Sequence, residues 1–252
     1  MFKECFIALL LAHIIGDFYA QTVIMAEKKE EEIKWVFIHC FSYYITMIVV
    51  SLPIASIYII FAITVAAIFH TIIDVIKYLY KNKLKADDKL DINKIRDIFF
   101  VDQMLHIMTI AIISYVFYIN NIPIRVNSFF AQFIDVLNMS KLSIASWFLA
   151  LLIIHKPANI AISKLISKYK PEISQDEGVK DNNAGRFIGT IERIIILIFI
   201  SIGQYSAIGL VLTAKSIARY DRISKEKDFA EYYLLGTLIS TLVVIVISFL
   251  IK

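Results

Sequence analysis

The chain alternates between long apolar runs and short charged connections. The runs predict helices at about 4–24, 35–51, 54–80, 93–119, 141–169, 184–202, 203–222 and 229–251. A membrane-crossing helix needs roughly 20 apolar residues, and most of these runs approach that length. Pro53 separates the second run from the third, because proline lacks the amide hydrogen and disfavours helix in the residue before it. Pro157 falls inside the fifth run and predicts a kink. The stretch SIGQYSAIG, residues 201–209, permits either one long helix or two shorter ones, so the expected number of spans is seven or eight. Residues 125–140 predict a short helix at the membrane interface.

The pattern therefore predicts an all-α, polytopic integral membrane bundle of about seven to eight transmembrane helices. A single membrane domain over 1–252 is expected. Residues 1–120 supply the helices that carry His and Asp, and residues 121–252 supply the C-terminal helices. The linkers 81–92 and 171–183 are polar and too short for another domain.

Composition agrees. Hydrophobic residues make up 59% and mean hydropathy is +0.71, well above a soluble domain of this size. Cys5 and Cys40 lie in apolar runs and suggest no disulfide framework. The net charge of +4 is too small to argue for nucleic acid. The first run lacks a small-residue cleavage site and carries His and Asp at its centre, so a removable signal peptide is not expected.

Basic residues set the expected orientation, since they concentrate in cytoplasmic loops. Lys77, Lys81, Lys83, Lys85, Lys89, Lys94 and Arg96 surround the third connection. Lys164, Lys168, Lys170 and Lys180 surround the fifth, and Arg219, Arg222, Lys225 and Lys227 precede the last helix. A break near Gly203 puts all of them on one side. The protein is then expected in the cytoplasmic membrane, with its N-terminus extracytoplasmic.

The polar residues inside the runs carry the chemistry. In LLLAHIIGDFYAQ, residues 9–21, His13, Asp17 and Gln21 follow at four-residue steps on one helical face. His70 pairs with Asp74 at the same spacing, and Asp102 with His106. His39 comes from a further helix, and Gln103 stands beside the last pair. At about 1.5 Å rise per residue, all of these fall roughly 5–16 Å from the cytoplasmic helix ends, so four helices bring them to one leaflet.

Ionisable groups at that depth cost several kcal/mol each unless paired or hydrated. Imidazole with carboxylate is a zinc set, and several carboxylates with imidazoles also suit manganese or iron. His13, Asp17, His39, His70, Asp74, Asp102 and His106 are therefore candidate ligands for a divalent metal. Zinc comes first, with one or two ions, and Asp17 or Asp102 would hold or deprotonate water. Interhelical hydrogen bonding is the structural alternative for each pair. His155 has no acid at this spacing and is expected to be structural.

A second constellation lies in AGRFIGTIER, 184–193, and GQYSAIG, 203–209. Arg186, Glu192 and Arg193 are candidates for gripping a phosphate or lipid head group, with Gln21 and Gln103 as further substrate contacts. The alternative is cytoplasmic anchoring with an internal salt bridge from Glu192 to an arginine.

LLLAHIIGDFYAQ, HTIIDVIK, FVDQMLH and AGRFIGTIERIIILIFISIGQYSAIGLVLTAKSIARYDRI together resemble a bacterial membrane family, domain of unknown function 3307. That resemblance spans most of the chain and implies no activity. More distantly, the His-x-x-x-Asp helices resemble those of zinc-dependent phospholipases C, P1-type nucleases and membrane-bound metal-dependent hydrolases. This likeness implies phosphoester hydrolysis, with His13, Asp17, His70, Asp74, Asp102 and His106 as ligands. The soluble enzymes also use their N-terminal amine as a ligand, whereas Met1 is expected at the opposite face.

The leading expectation is a membrane-embedded metal hydrolase of a lipid or lipid-linked phosphoester, working from the cytoplasmic side with membrane lipids as its partners. An ion- or proton-coupled transporter and a non-catalytic scaffold are the alternatives. Oligomeric state is left open by the sequence.

Overall fold

The computed structural model describes residues 1–136, 140–171 and 184–251. Lys180 and most of the 171–183 linker lie outside the described residues, as do the last positions of the interfacial segment apart from residue 140. Among the described residues the structure is all helical. The helices are α1 Phe2–Ile14, α2 Val23–Lys28, α3 Ile33–Ser51, α4 Ile57–Ala86, α5 Ile92–Ile119, α6 Ser128–Asp135, α7 Lys141–Leu165, α8 Ala184–Ser201, α9 Tyr205–Ile217, α10 Tyr220–Lys225 and α11 Lys227–Ser248.

Among the described residues five segments are long and apolar enough to cross a membrane: Ile33–Ile54, Ile57–Ala86, Ile92–Ile119, Lys141–Leu165 and Lys227–Ser248. They make the chain a membrane protein. The expected first span over 4–24 is not one helix. α1 ends at Ile14, a π turn occupies Ile15–Tyr19, and Thr22 takes an extended conformation with its side chain accepting from the Met25 amide. Such a side chain satisfies an orphan amide and starts a new helix, α2. α8 has length but also three charged residues, Arg186, Glu192 and Arg193, while α9 has only 13 residues. Gly203, at φ +73°, separates α8 from α9 in the left-handed region that glycine occupies without strain.

Side-chain chemistry sets the other ends. Ser56 caps α4 by accepting from the Ile59 amide at 3.2 Å, and Asp91 caps α5 by accepting from Lys94 at 2.7 Å. Pro157 lies inside α7 without ending it. α6 is the short helix expected within 125–140, and Asn127 caps its start by accepting from the Phe129 amide.

The chain forms two compact units, Met1–Leu149 and Ala150–Lys252. In the first, α1 packs on α3 and α5, and α4 also packs on both. Phe41, Phe61, Met104 and Ile112 turn outward at 61–69% exposure, whereas His13, His39, His70, Asp74, Asp102 and His106 turn inward. Apolar outside and polar within is the arrangement a lipid solvent favours. In the second unit α8 packs on α9 and α11, and Ala158, Ile162 and Ile166 pack against Tyr232, Leu235, Ile239 and Val243.

Candidate metal centre

The first unit brings all seven His and Asp candidates into one buried cluster. Four-residue spacing on α4 and α5 aligns His70 with Asp74 and Asp102 with His106. α3 adds His39 and Tyr43, one turn apart. α1 adds His13, and the π turn carries Asp17. A π turn widens a helix locally and is concentrated at functional sites. Gly16 within it is required by packing, because a Cβ there would stand 2.8 Å from Tyr43 Cδ2.

His39 Nε2 is the geometric centre of the cluster. It lies 3.2 Å from His70 Nε2, 3.2 Å from Asp17 Oδ1 and 3.4 Å from Asp74 Oδ2. His70 Nε2 is 3.7 Å from Asp74 Oδ2. Two donors on a tetrahedral ion with bonds of 2.0–2.1 Å lie about 3.3 Å apart, so these spacings match the edges of a coordination tetrahedron. An imidazole nitrogen carries at most one hydrogen and cannot satisfy three acceptors at once. A cation held by Asp17, His39 and His70, whose ligand atoms lie within 4.8 Å of one another, would satisfy them.

Two further groups have ligand spacing. Asp74, Asp102 and His106 offer ligand atoms within 4.8 Å of one another, as do Cys40, His70 and Asp74. Cys40 was not among the residues the sequence pointed to. Its place one position after His39 on α3 was the available signal, and only the packing turns its sulfur toward His70.

The outer contacts are specific. Tyr43 OH lies 3.1 Å from His13 Nδ1, and the Tyr43 ring stacks on His70 with centroids 3.8 Å apart. His106 Nδ1 donates to the Asp102 carbonyl at 2.9 Å, which leaves Nε2 as the acceptor nitrogen. Buried His13 Nε2, His106 Nε2, Asp102 Oδ1 and Asp74 Oδ2 have no hydrogen-bond partner, and neither do His39 Nδ1 and His70 Nδ1. Buried polar atoms normally have partners, so orphaned atoms on six of the residues mark a place built for something else. Gln103 donates to Asp17 Oδ2 at 3.0 Å and to Asp102 Oδ2 at 3.3 Å.

Two lysines complete the centre. Lys77 Nζ lies 2.6 Å from Asp74 Oδ1 and 2.9 Å from Asp102 Oδ2. Lys29 Nζ donates to Gln21 Oε1 at 2.7 Å and stands 3.7 Å from Asp74 Oδ2. By sequence Lys77 counts only among the basic residues around the third connection. Its position three residues after Asp74 and seven after His70 puts it on their face, a signal that helical periodicity holds. Exposure rises from 0% at His39 to 15% at Lys29 and 23% at Lys77, so the polar side opens where the lysines stand.

The N-terminal amine pairs with Glu4 at 3.3 Å, in the first turn of α1, and takes no part in the cluster. Arg186, Glu192 and Arg193 belong to the second unit. Arg186 is exposed. Arg193 is buried and donates to the Ile154 carbonyl at 2.7 Å, Asn159 Oδ1 at 2.6 Å, Ser240 Oγ at 3.2 Å and Thr190 Oγ1 at 3.3 Å. Glu192 pairs with Lys215 at 2.6 Å rather than with an arginine.

No curated protein and no solved structure matches the chain, so the likeness to zinc phospholipases, P1-type nucleases and membrane-bound hydrolases gains no support there. A family model described as Protein of unknown function (DUF3307) matches residues 5–137. That range holds every residue of the cluster and stops short of α7, so the AGRFIGTIER and GQYSAIG segments lie outside it. Matched over more than half of its length, the chain belongs to the DUF3307 family.

Proposed function

We propose that the protein is a membrane-embedded, metal-dependent hydrolase acting on a phosphoester of a lipid or lipid-linked substrate at the cytoplasmic face. The observation that carries this reading is His39 Nε2, held within 3.2–3.4 Å of two carboxylate oxygens and a second imidazole nitrogen. Imidazole and carboxylate donors at tetrahedral spacing, with the Cys40 thiol adjacent, favour zinc over manganese or iron. A divalent ion there supplies activation of water and polarisation of a phosphoryl oxygen.

The chain's own residues would do the rest. Asp17 is oriented by Gln103 through the oxygen that does not face His39. Asp102 Oδ1 has no hydrogen bond and is free to take a proton from water. Lys77 and Lys29, on the more exposed side, put positive charge where an anionic head group would enter. Arg193 is not assigned this task, because its donors already serve acceptors on α7, α8 and α11.

The test uses the full chain purified in detergent. Metal analysis should find zinc in stoichiometric amount. Release of phosphate or head group from mixed micelles of phosphatidic acid or phosphatidylglycerol should depend on it, and His39→Ala should remove both. Stoichiometric metal with no hydrolysis of any lipid phosphoester would overturn the catalytic reading. Absence of metal from folded protein would overturn the whole of it.

A further inference from the structure

The centre contains more ligand-type groups than one ion needs. Asp74, Asp102 and His106 form a second set, with ligand atoms within 4.8 Å of one another. Two of its atoms, Asp102 Oδ1 and His106 Nε2, are buried and without a hydrogen bond. Asp74 belongs to both sets: Oδ2 faces His39 and His70, while Oδ1 faces Lys77, which also reaches Asp102. A carboxylate shared in this way is what bridges two ions about 3.5–4 Å apart in two-metal sites.

Two members of this second set, Asp74 and Asp102, already share a cation. Lys77 Nζ stands between Asp74 Oδ1 and Asp102 Oδ2, at 2.6 and 2.9 Å. Charge argues in the same direction. The cluster sets three carboxylates, Asp17 on His39 and Asp74 and Asp102 on the lysines, against the two ammonium groups of Lys77 and Lys29, a formal excess of one negative charge. One divalent ion reverses that excess and leaves the pocket positive by one, suited to an anionic substrate. A second divalent ion beside Lys77 would force two cations together in a buried site, where repulsion is weakly screened.

We propose that Lys77 is the resident cation of a latent second metal site, so that the native centre carries one divalent ion and one ammonium. The inference rests on the metal reading above and fixes the number of ions. Lys77 thereby takes the place where a second ion would contact the substrate's oxyanion. A lysine there needs no second metal to be captured, and its hydrogens can be given to a leaving oxygen.

The experiment compares metal content and Mn²⁺ electron paramagnetic resonance for the full-length wild type, Lys77→Met and Lys77→Arg in detergent. Wild type and Lys77→Arg are expected to bind one ion each, with the signal of an isolated Mn²⁺. Lys77→Met keeps most of the side chain, one atom shorter, but removes its charge; it should bind two, with a spin-coupled pair, and adding His106→Ala should return it to one. Two ions in the wild type would overturn the inference while leaving the metal reading standing. One ion in a folded Lys77→Met protein would do the same. No ion in the wild type would remove the metal reading and this inference together. Should Lys77→Met fail to fold, the wild-type spectrum decides alone: isolated Mn²⁺ supports the inference and a coupled pair overturns it.

Discussion

Gly16 and Tyr43 touch so closely that no side chain fits between them: a Cβ on Gly16 would lie 2.8 Å from Tyr43 Cδ2. The same Tyr43 ring stacks on His70, and its hydroxyl reaches His13 Nδ1. Glycine in the π turn thus lets α1 approach α3 and seats the ring that orients two histidines. Gly16→Ala is expected to cost about 1–3 kcal/mol, the usual range for overpacking a core. It should also lower metal affinity, because Tyr43 must move. Combined with Tyr43→Ala the cost should be less than additive, since the two residues are in contact. Thermal unfolding in detergent and metal titration measure both effects.

Tyr43→Phe removes only the hydroxyl and leaves His13 Nδ1 buried without its partner. Leaving a buried polar atom unsatisfied costs about 1–3 kcal/mol. Where such a contact orients a metal ligand, its loss typically weakens metal binding by about 10–100-fold. Competition with a chromophoric chelator reads that change. An unchanged affinity would place His13 outside the coordinating set.

His39→Ala should abolish stoichiometric metal, whereas His155→Ala should leave it intact. His39 Nε2 faces three ligand-type atoms at 3.2–3.4 Å, and His155 lies in the other compact unit. Metal analysis of the two variants beside the wild type separates a specific centre from general histidine binding.

Chelation should destabilise the wild type more than His39→Ala. An ion bound only by the folded state stabilises it by mass action. Its removal leaves three carboxylates, Asp17, Asp74 and Asp102, against the two ammonium groups of Lys77 and Lys29 and the imidazole of His39. A fall in the unfolding temperature with chelator, reversed by added zinc and absent in His39→Ala, is the expected pattern.

Arg193→Leu should destabilise the second unit while leaving metal content unchanged. The guanidinium donates to acceptors on two other helices, α7 and α11, one of them the Ile154 carbonyl, and to Thr190 on its own. Leaving buried neutral acceptors unsatisfied in this way costs about 1–3 kcal/mol. Limited proteolysis within 150–251, together with metal analysis, distinguishes this structural role from a role in the metal centre.

Much of the centre was legible in the chain. Four-residue spacing aligned His70 with Asp74 and Asp102 with His106 before any fold was known, because helical periodicity is a local property, whereas between His13 and Asp17 a π turn begins. Apolar run length placed α3, α4, α5, α7 and α11 within a few residues. The same logic could not see that the first run breaks after Tyr19. There Thr22 restarts the helix, and Gly16 permits a close approach to a residue 27 positions away in the chain.

What the sequence by itself determined is the solvent and the donors: lipid outside, and imidazoles and carboxylates on helical faces that must turn inward. Tertiary structure decided which atoms meet. It put His39 Nε2 among two carboxylates and a second imidazole, turned Cys40 toward His70, and drew Lys77 out of its basic loop run to lie between Asp74 and Asp102. It also fixed Glu192 on Lys215 and tied Arg193 to neutral acceptors. Spacing along one helix says which residues share a face. Only the packing of α1, α3, α4 and α5 says what that face meets, because those contacts join residues whose separation in the chain carries no periodic signal.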